Sequence, residues 1–317
     1  MMRRAFITGG AGFIGSRLVR ALLAADWQVC VLDDFSVGRE EDLAFAGKAV
    51  PRVAADVSVA GVVERAMAAS QPAVVFHLAA LHFIPHCERD PVRAIETNAL
   101  GTQRVIDAIA GRTGCRLVFA STGDVYASAA QPHHETSPLG PGSLYGITKL
   151  TGEHLVGHAA ARGAACRIAR LFNVYGPGDR TPHVLPDIVH GLVQRGTIEI
   201  GRLDPVRDYV YVDDVADALI RLAEYDGEEC VFNIGSGEGR SVQQLVDAVL
   251  AAHGATADVR TDPAKVRPVE RPVLVADSGR AGRVLGWAPQ TAFRDGIQRT
   301  LMAAGASRCT PDRRLNR

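Results

Sequence analysis

Short apolar runs alternate with amphipathic segments through the first half of the chain. The apolar runs predict buried β-strands at residues 5–8, 29–32, 52–54, 74–78, 117–120 and 167–170. Segments with apolar residues at helical spacing predict helices between them, notably at residues 16–25, 98–111 and 144–161. Strands that are apolar on both faces and alternate with helices are typical of an α/β protein with a doubly wound parallel sheet.

The alternation loosens after residue 170. Pro and Gly recur in NVYGPGDRTPHVLP and in RTDPAKVRPVERP, which is typical of turns and long connections. The pattern predicts a first domain over residues 1–171 and a smaller C-terminal lobe, mainly for substrate binding, over residues 172–304. Some segments of that lobe can return to the first domain. The polar, basic residues 305–317 are expected to form a disordered tail.

Composition narrows the function classes. Hydrophobic residues make up 47% of the 317 residues, charged residues 22%, and the formal net charge is +0. This balance gives no overall field that favours nucleic acid or an anionic membrane, and no apolar run approaches the roughly 20 residues of a membrane span. The six cysteines are dispersed without a C-x-x-C pair. We therefore expect reduced thiols in a soluble, cytoplasmic protein that binds neither nucleic acid nor membrane.

A glycine-rich turn joins the first predicted strand to the first helix. Gly9, Gly12 and Gly15 follow a G-x-x-G-x-x-G pattern in FITGGAGFIGS. Glycine permits close backbone approach to a pyrophosphate, with Phe13 and Ile14 expected beside it, and the N-terminus of the following helix offers N–H groups and a positive dipole end. An ordinary strand–turn–helix connection is the alternative. The turn predicts a Rossmann-type dinucleotide-binding domain over residues 1–171.

Acidic residues after the second and third strands bear on the choice of cofactor. Asp33 is placed to bind a ribose 2′-hydroxyl, and with Asp34 beside it would repel the 2′-phosphate of NADP. The nearest compensating cation, Arg39, lies several residues further on. NAD is therefore the expected cofactor. Asp56 and Val57 are expected at its adenine end, with a turn cap as the alternative role of Asp56.

The segment SLYGITKLTGEHL carries candidate catalytic residues. Tyr145 and Lys149 lie four residues apart and so on one face of a helix. A free tyrosine has a pKa of about 10, too high for a base at neutral pH. A neighbouring ammonium and a cationic nicotinamide ring both favour the phenolate, so the pair predicts a general base. A solvated helical pair is the alternative for this spacing taken alone.

Ordered motifs over nearly the whole chain resemble one enzyme family. The chain is similar to extended short-chain dehydrogenases/reductases of the NAD-dependent nucleotide-sugar epimerase/dehydratase family, which includes UDP-glucose 4-epimerases. The motifs are TGGAGFIGS, VLDDFSVG, VFHLAA, TNALGT, STGDVY, LYGITK, RLFNVYGPG, RDYVYVDDVADAL, FNIGSG and LGW. The resemblance implies that Tyr145 removes a sugar hydroxyl proton while hydride passes to NAD. It also implies that Lys149 binds the nicotinamide ribose and lowers the Tyr145 pKa.

The resemblance also implies roles for residues in loops. Thr122 matches the Ser/Thr that hydrogen-bonds the reacting hydroxyl, and Leu78, Ala79 and Ala80 match residues that line the cofactor. His82 follows that turn and is expected beside the sugar. The histidines and cysteine of HFIPHC and the pair His133–His134 fit no zinc spacing, so no metal is expected.

Arginines of the second lobe match family positions that contact the substrate diphosphate. These are Arg207 and Arg267, and Asn173 matches a residue near the sugar-side phosphate. The alternative is a pair of surface ion pairs, Arg207 with Asp208 and Arg267 with Glu270, which would contribute little to stability.

The residues around Asp124 bear on which of two reactions the chain is expected to catalyse. Family 4,6-dehydratases carry Asp and then Glu after the Ser/Thr, as the acid and base of elimination, whereas here Thr122 is followed by Gly123 and Asp124. A missing general acid costs about 10²–10⁴-fold in rate. A 4-epimerase needs only Tyr145, Thr122 and NAD, with Asp124 as a turn acid or sugar contact. The 4-epimerase is the favoured interpretation, and the 4,6-dehydratase with Asp124 as base is the alternative.

Other classes also remain open at this point. A non-catalytic dinucleotide-binding protein would be expected to have lost Tyr145 or Lys149, and this chain retains both. A nucleotide-sugar decarboxylase would need a carboxylate-bearing substrate. The resemblance further implies a homodimer joined by the helices predicted at residues 98–111 and 144–161.

Overall fold

The computed structural model describes residues 3–45, 50–266 and 271–305. The predicted tail therefore lies outside the described residues apart from Gly305, as does Arg267. The strands are β1 (Arg4–Thr8), β2 (Gln28–Asp33), β3 (Arg52–Ala54), β4 (Val74–His77), β5 (Arg116–Thr122), β6 (Ala165–Leu171), β7 (Asn173–Tyr175), β8 (Thr197–Ile200), β9 (Val206–Tyr211), β10 (Val231–Ile234), β11 (Gly239–Ser241), β12 (Asp258–Thr261) and β13 (Val273–Leu274).

Seven parallel strands form the central sheet of the described chain, in the order β10-β6-β5-β4-β1-β2-β3. The order reverses beside β1, as in a doubly wound sheet. Each of the six predicted strands is present, although the bounds differ by up to two residues. β10 was not predicted, and it returns to this sheet from the second half of the chain by pairing with β6, with Val231 opposite Ile168.

Helices cover both faces of this sheet. They are α1 (Phe13–Ala24), α2 (Val62–Ser70), α3 (Ile84–Arg89), α4 (Pro91–Ile95), α5 (Gly101–Ile109), α6 (Leu144–Ala161), α7 (Val184–Arg195), α8 (Val212–Glu224), α9 (Val242–His253), α10 (Gly279–Leu285) and α11 (Phe293–Ala303). α1 and α8 pack on one face, and α2, α5 and α6 on the other. Side chains of β5 alternate between the two layers, with Val118 in the first and Phe119 in the second.

Two helix predictions need correction. The first helix begins at Phe13 and not at Ser16, because Gly12 adopts an extended cap conformation and Gly15 is already helical. The helix predicted from residue 98 belongs to a longer run, since α4 continues through a π-helical turn, Glu96–Leu100, into α5. The helix predicted at residues 144–161 has those bounds.

The second lobe has its own apolar core. α7, α9 and α11 pack around β8 and β9, with Ile188, Leu245 and Ile297 fully buried. β9 pairs with β7, β11 and β13, while β8 pairs with β12. This lobe therefore presents β9 and its neighbours beside the carboxyl ends of the central strands, where ligands bind in open α/β sheets.

No helix in the described part of the chain is long and apolar enough to span a membrane. Nor do these residues contain a cluster of three or more His, Cys, Asp or Glu side chains suited to a metal ion. The described cysteines, Cys30, Cys87, Cys115, Cys166 and Cys230, are free thiols.

Candidate active site

The glycine turn packs against the turn that follows β4. Gly9 has a φ of +72°, and a Cβ there would lie 2.6 Å from the backbone nitrogen of Ala79. A Cβ on Gly15 would lie 2.1 Å from the carbonyl oxygen of Gly9. Both positions therefore require glycine, and the packing places the start of α1, with the half-buried Phe13 and Ile14, beside Leu78 and Ala79.

Asp33 ends β2 at the edge of this turn. Its carboxylate accepts hydrogen bonds from the backbone N–H groups of Ala11, at 2.8 Å, and Phe35, at 2.9 Å. Burial raises the pKa of Asp33, while these two donors oppose the rise. The carboxylate is thus tied to the glycine turn itself, at the position where a bound dinucleotide would place its ribose.

Arg93 of α4 links two acids at the same end of the site. Its guanidinium pairs with Asp56 and, at 3.4 Å, with Asp34. The other Asp56 oxygen accepts hydrogen bonds from the backbone N–H and hydroxyl of Ser58, both at 2.8 Å. Asp56 therefore does form the turn cap considered as its alternative role, and the adjacent Val57 is buried against Gly101. The sequence pattern gave no signal for Arg93.

Tyr145 and Lys149 project from the first turns of α6. Ser143 caps this helix by accepting a hydrogen bond from the Gly146 N–H. Burial raises the pKa of Tyr145, as does the charge of Asp124, while a hydrogen bond with Thr122 lowers it. Thr122 is the last residue of β5, so strand and helix meet at the phenol.

Lys149 is 2% exposed, and its Nζ lies 4.2 Å from the centroid of the Phe119 ring. Burial lowers the pKa of Lys149 to about 7. His77 is enclosed in the same layer, held between the Thr8 and Thr102 hydroxyls at 2.7 and 3.0 Å. Burial lowers its pKa to about 3, so His77 is neutral and structural.

Asn98 in the π-helical turn ties the cofactor-side turn to α6. Its side chain accepts a hydrogen bond from the Leu81 N–H at 2.7 Å, and it donates to the Leu81 carbonyl and to the Thr148 hydroxyl. Asn98 lies in the TNALGT motif, but its supporting role was not predicted. These bonds fix His82, one residue after Leu81, relative to Tyr145.

Asp124 lies in a 3₁₀ turn, Gly123–Val125, directly after β5. Its N–H donates to the Thr122 hydroxyl at 3.2 Å. Among the described residues, the Asp124 carboxylate is paired with Arg271, whose Nη1 lies 3.9 Å from Oδ1. Among those residues, no backbone N–H of the turn donates a hydrogen bond to the Asp124 carboxylate. The structure therefore gives no support to the predicted role of Asp124 as a turn acid.

The predicted substrate residues come from both lobes, with His82 just before α3, Asn173 on β7 and Arg207 on β9. His82 Nε2 lies 3.1 Å from the Thr181 hydroxyl, and burial lowers the His82 pKa to about 4. Arg207 donates to the carbonyls of Val206 and Arg271 at 2.9 and 2.8 Å. Asn173 is exposed on β7.

The alternative interpretation, a surface ion pair between Arg207 and Asp208, is wrong because Asp208 does not lie on the surface. Asp208 is fully buried, and its carboxylate accepts hydrogen bonds from Ser236, Gly237 and Ala276. The corresponding alternative for Arg267 with Glu270 lies outside the described residues.

Comparison with known proteins agrees with this geometry. Residues 5–235 match the model of the NAD dependent epimerase/dehydratase family. The chain is 37% identical over 312 residues to a UDP-glucose 4-epimerase of Mycolicibacterium smegmatis, an alignment that covers 94% of this chain and 97% of the relative.

Solved structures are also similar. The UDP-glucose 4-epimerase of Thermotoga maritima with UDP-glucose gives a TM-score of 0.89 at 30% identity, covering 95% of this chain and 98% of the other. That of Thermus thermophilus with NAD gives 0.86 at 32% identity, with coverages of 95% and 98%. The predicted fold and resemblance are confirmed, and the chain belongs to the NAD-dependent epimerase/dehydratase family.

Proposed function

We propose that the protein is an NAD-dependent 4-epimerase of a UDP-hexose, with UDP-glucose and its C4 epimer as substrate and product. The observation that carries the proposal is the meeting of Tyr145 and Thr122 at the carboxyl end of β5, on the same edge of the sheet as the glycine turn that follows β1. Relatives at 32–37% identity over nearly the whole chain are named UDP-glucose 4-epimerases, which supports the choice of sugar and nucleotide.

NAD fits the residues at the glycine turn. Gly9 and Gly15 let the turn pack closely against Ala79 and against the Gly9 carbonyl, and the α1 N-terminus offers backbone donors to a pyrophosphate. Asp33 is placed for the adenosine ribose and disfavours a 2′-phosphate. Residues Gly12, Phe13, Ile14, Val57, Leu78, Ala79 and Ala80 complete the proposed cofactor site, with Asp56 acting through Arg93. When bound, NAD takes a hydride from sugar C4 and returns it to the opposite face.

Tyr145 is the proposed general base. In its phenolate form Tyr145 would accept the proton of the sugar 4-hydroxyl during oxidation, and the resulting phenol would return it when the 4-keto sugar is reduced. Thr122 donates a hydrogen bond toward the phenolate, which favours that state. The Lys149 ammonium adds positive charge on the same helix face and is proposed to hold the nicotinamide ribose.

The second lobe is proposed to bind the nucleotide sugar. Arg207, with its guanidinium held by two carbonyls, and Arg267 would meet the diphosphate, whose charge calls for such donors. Asn173 and His82 would lie toward the sugar. We retain the division into an NAD-binding domain at residues 1–171 and a mainly substrate-binding lobe at 172–304, noting that β10 belongs to the sheet of the first.

The packing at Gly123 argues against a 4,6-dehydratase. A Cβ there would meet three atoms of the Phe172 ring at 3.1–3.3 Å. The ring therefore leaves little room for the acidic side chain that a dehydratase carries at this position. A relative among solved structures, TunA, is named a 5,6-dehydratase at 30% identity, and elimination is therefore the outcome that the experiment must separate.

A homodimer is proposed through α4, α5 and α6. The apolar residues Val92, Ile95, Leu100 and Ile147 are 39–66% exposed on these helices, and α4 and α5 pack on α6. A second copy would bury this face. The cytoplasm is the proposed location, in keeping with the free thiols of the described cysteines.

Chromatography with mass spectrometry tests the reaction. The protein is incubated with NAD and one nucleotide hexose at a time, taken from UDP-, GDP-, CDP- and dTDP-hexoses. The proposal expects a new isomer of unchanged mass from UDP-glucose. A product lighter by one water would establish the dehydratase instead, and the absence of any new peak would favour a non-catalytic role.

A further inference from the structure

Arg271 joins the two lobes next to the candidate base. Its backbone carbonyl accepts a hydrogen bond from Arg207 at 2.8 Å, and its Nη2 donates to the backbone carbonyl of Asp124 at 2.8 Å. The side chain is 10% exposed, and its Nη1 lies 3.9 Å from the Asp124 carboxylate. Arg271 thus connects the proposed diphosphate contact to the turn after β5.

The charge of Asp124 opposes the function proposed for Tyr145. Burial is the main cause that raises the pKa of Tyr145, and the Asp124 carboxylate raises it further by disfavouring the phenolate. A base must nevertheless reach the phenolate form during turnover. The turn therefore needs a cation close to Asp124, and Arg271 is that cation.

Other titratable groups near the start of α6 belong to α3 and to α6 itself. Cys87 of α3 also raises the Tyr145 pKa, and Lys149 stands one turn further along α6. Glu88 accepts a hydrogen bond from the Leu144 N–H at the start of the helix. Among the residues that the structure describes, Asp124 is the only one of these groups paired with an arginine of the second lobe.

We propose that Arg271 is a positioning residue, which holds the Asp124 turn against the second lobe and offsets the Asp124 charge beside the Tyr145 hydroxyl. The inference rests on the proposed function of Tyr145 as base. It makes a distinct claim, because the charge effect exists in the protein with NAD bound and without any substrate. A charge within about 4–6 Å of a titrating group shifts its titration by about one pH unit or more, and the Arg271 Nη1 lies 3.9 Å from the Asp124 carboxylate whose charge acts on Tyr145.

Two measurements on the NAD-bound protein test it. The phenolate absorbance of Tyr145 is followed against pH as the difference between each variant and the same variant carrying Tyr145→Phe. The pH profile of kcat/KM with UDP-glucose is measured in parallel. The variants are Arg271→Met, Arg271→Lys, Asp124→Asn and the double variant, with Arg260→Met, at an exposed arginine, as the matched control.

Arg271→Met should move the Tyr145 midpoint upward by about one pH unit, which is about tenfold in phenolate at fixed pH. Arg271→Lys should bring the Tyr145 midpoint most of the way back to the wild-type value. Asp124→Asn should move the midpoint downward, and the double variant should have a midpoint close to that of wild type. An unchanged midpoint with a raised KM would overturn the inference in favour of a substrate contact. A double variant as slow as Arg271→Met would show a purely structural role.

Asp124→Asn keeps the test decisive if Arg271→Met fails to fold, since an unshifted midpoint in that variant also overturns the inference. Failure of the proposed function is separate. In that case wild type would form no epimer from UDP-glucose, while the absorbance titration would still report the effect of Arg271 on Tyr145.

Discussion

Replacing Lys149 with Met should stabilise the nucleotide-free fold while removing most turnover. Lys149 is 2% exposed, and burial lowers its pKa from 10.5 to about 7. Between these values the unfolded chain holds a proton that the folded protein has released, so this group makes stability rise with pH. Below pH 7 the folded protein carries a buried ammonium and the cost is complete.

The two pKa values set the size of the effect. At about 1.4 kcal/mol per pKa unit, their difference corresponds to a cost on the order of 4–5 kcal/mol below pH 7. The Phe119 ring, 4.2 Å from Nζ, offsets about 2 kcal/mol of this by a cation–π contact. Methionine retains the apolar stem without the charge, so a net gain of about 2–3 kcal/mol remains. A chain of this size should then unfold roughly 5 °C higher.

Thermal unfolding of protein stripped of NAD, at pH 6.5, 8 and 9.5, measures this gain. The difference between Lys149→Met and wild type should be largest at pH 6.5 and shrink as the pH rises. Lys265→Met is the control, because that lysine is partly exposed and paired with Asp187. The reasoning is refuted if Lys149→Met is less stable than wild type at pH 6.5, or if the difference does not depend on pH.

Further outcomes follow from the site, the glycine turn and the exposed helix face. Tyr145→Phe should lower kcat by about 10²–10⁴-fold while NAD still binds, as shown by turnover and bound-nucleotide assays. Gly15→Ala should lose NAD binding and stability, since its Cβ would lie 2.1 Å from the Gly9 carbonyl. Gly157→Ala, with nothing within 4 Å, should retain both. If the proposed homodimer forms through this face, Ile147→Glu should shift it to monomer in sedimentation, because the exposed apolar face would gain a charge.

The sheet was predictable because its strands are buried on both faces and read as continuous apolar runs. β5, for example, is buried along all but its first residue. β10 escaped prediction because its four residues lie in the turn-rich half of the chain, where no local pattern shows that they return to β6. The start of α1 was misplaced because Gly15 was assigned to the turn, although close packing against Gly9 is what requires glycine there.

Site residues that lie close together in the sequence were predictable, whereas contacts between residues far apart in the sequence were not. The spacing of Tyr145 and Lys149 places them on one helix face whatever surrounds that helix. Arg271 contacts Asp124 across a sequence separation of 147 residues, and Arg93 contacts Asp56 across 37. Such pairs arise from the fold and leave no periodic signal. The buried acceptor role of Asp208 was missed for the same reason.

The choice between isomerisation and elimination is set by packing beneath the turn as well as by the residues on it. Phe172 is 4% exposed and packs with Val125, Tyr126 and Leu274 in one apolar cluster. A Cβ at Gly123 would lie 3.1–3.3 Å from atoms of that ring, so the ring would have to shift by a few tenths of an ångström. This packing opposes the acid needed for elimination, whereas epimerisation needs only NAD, Tyr145 and the strand-end hydroxyl. Gly123 and the Phe172 ring packed behind it therefore favour epimerisation over elimination.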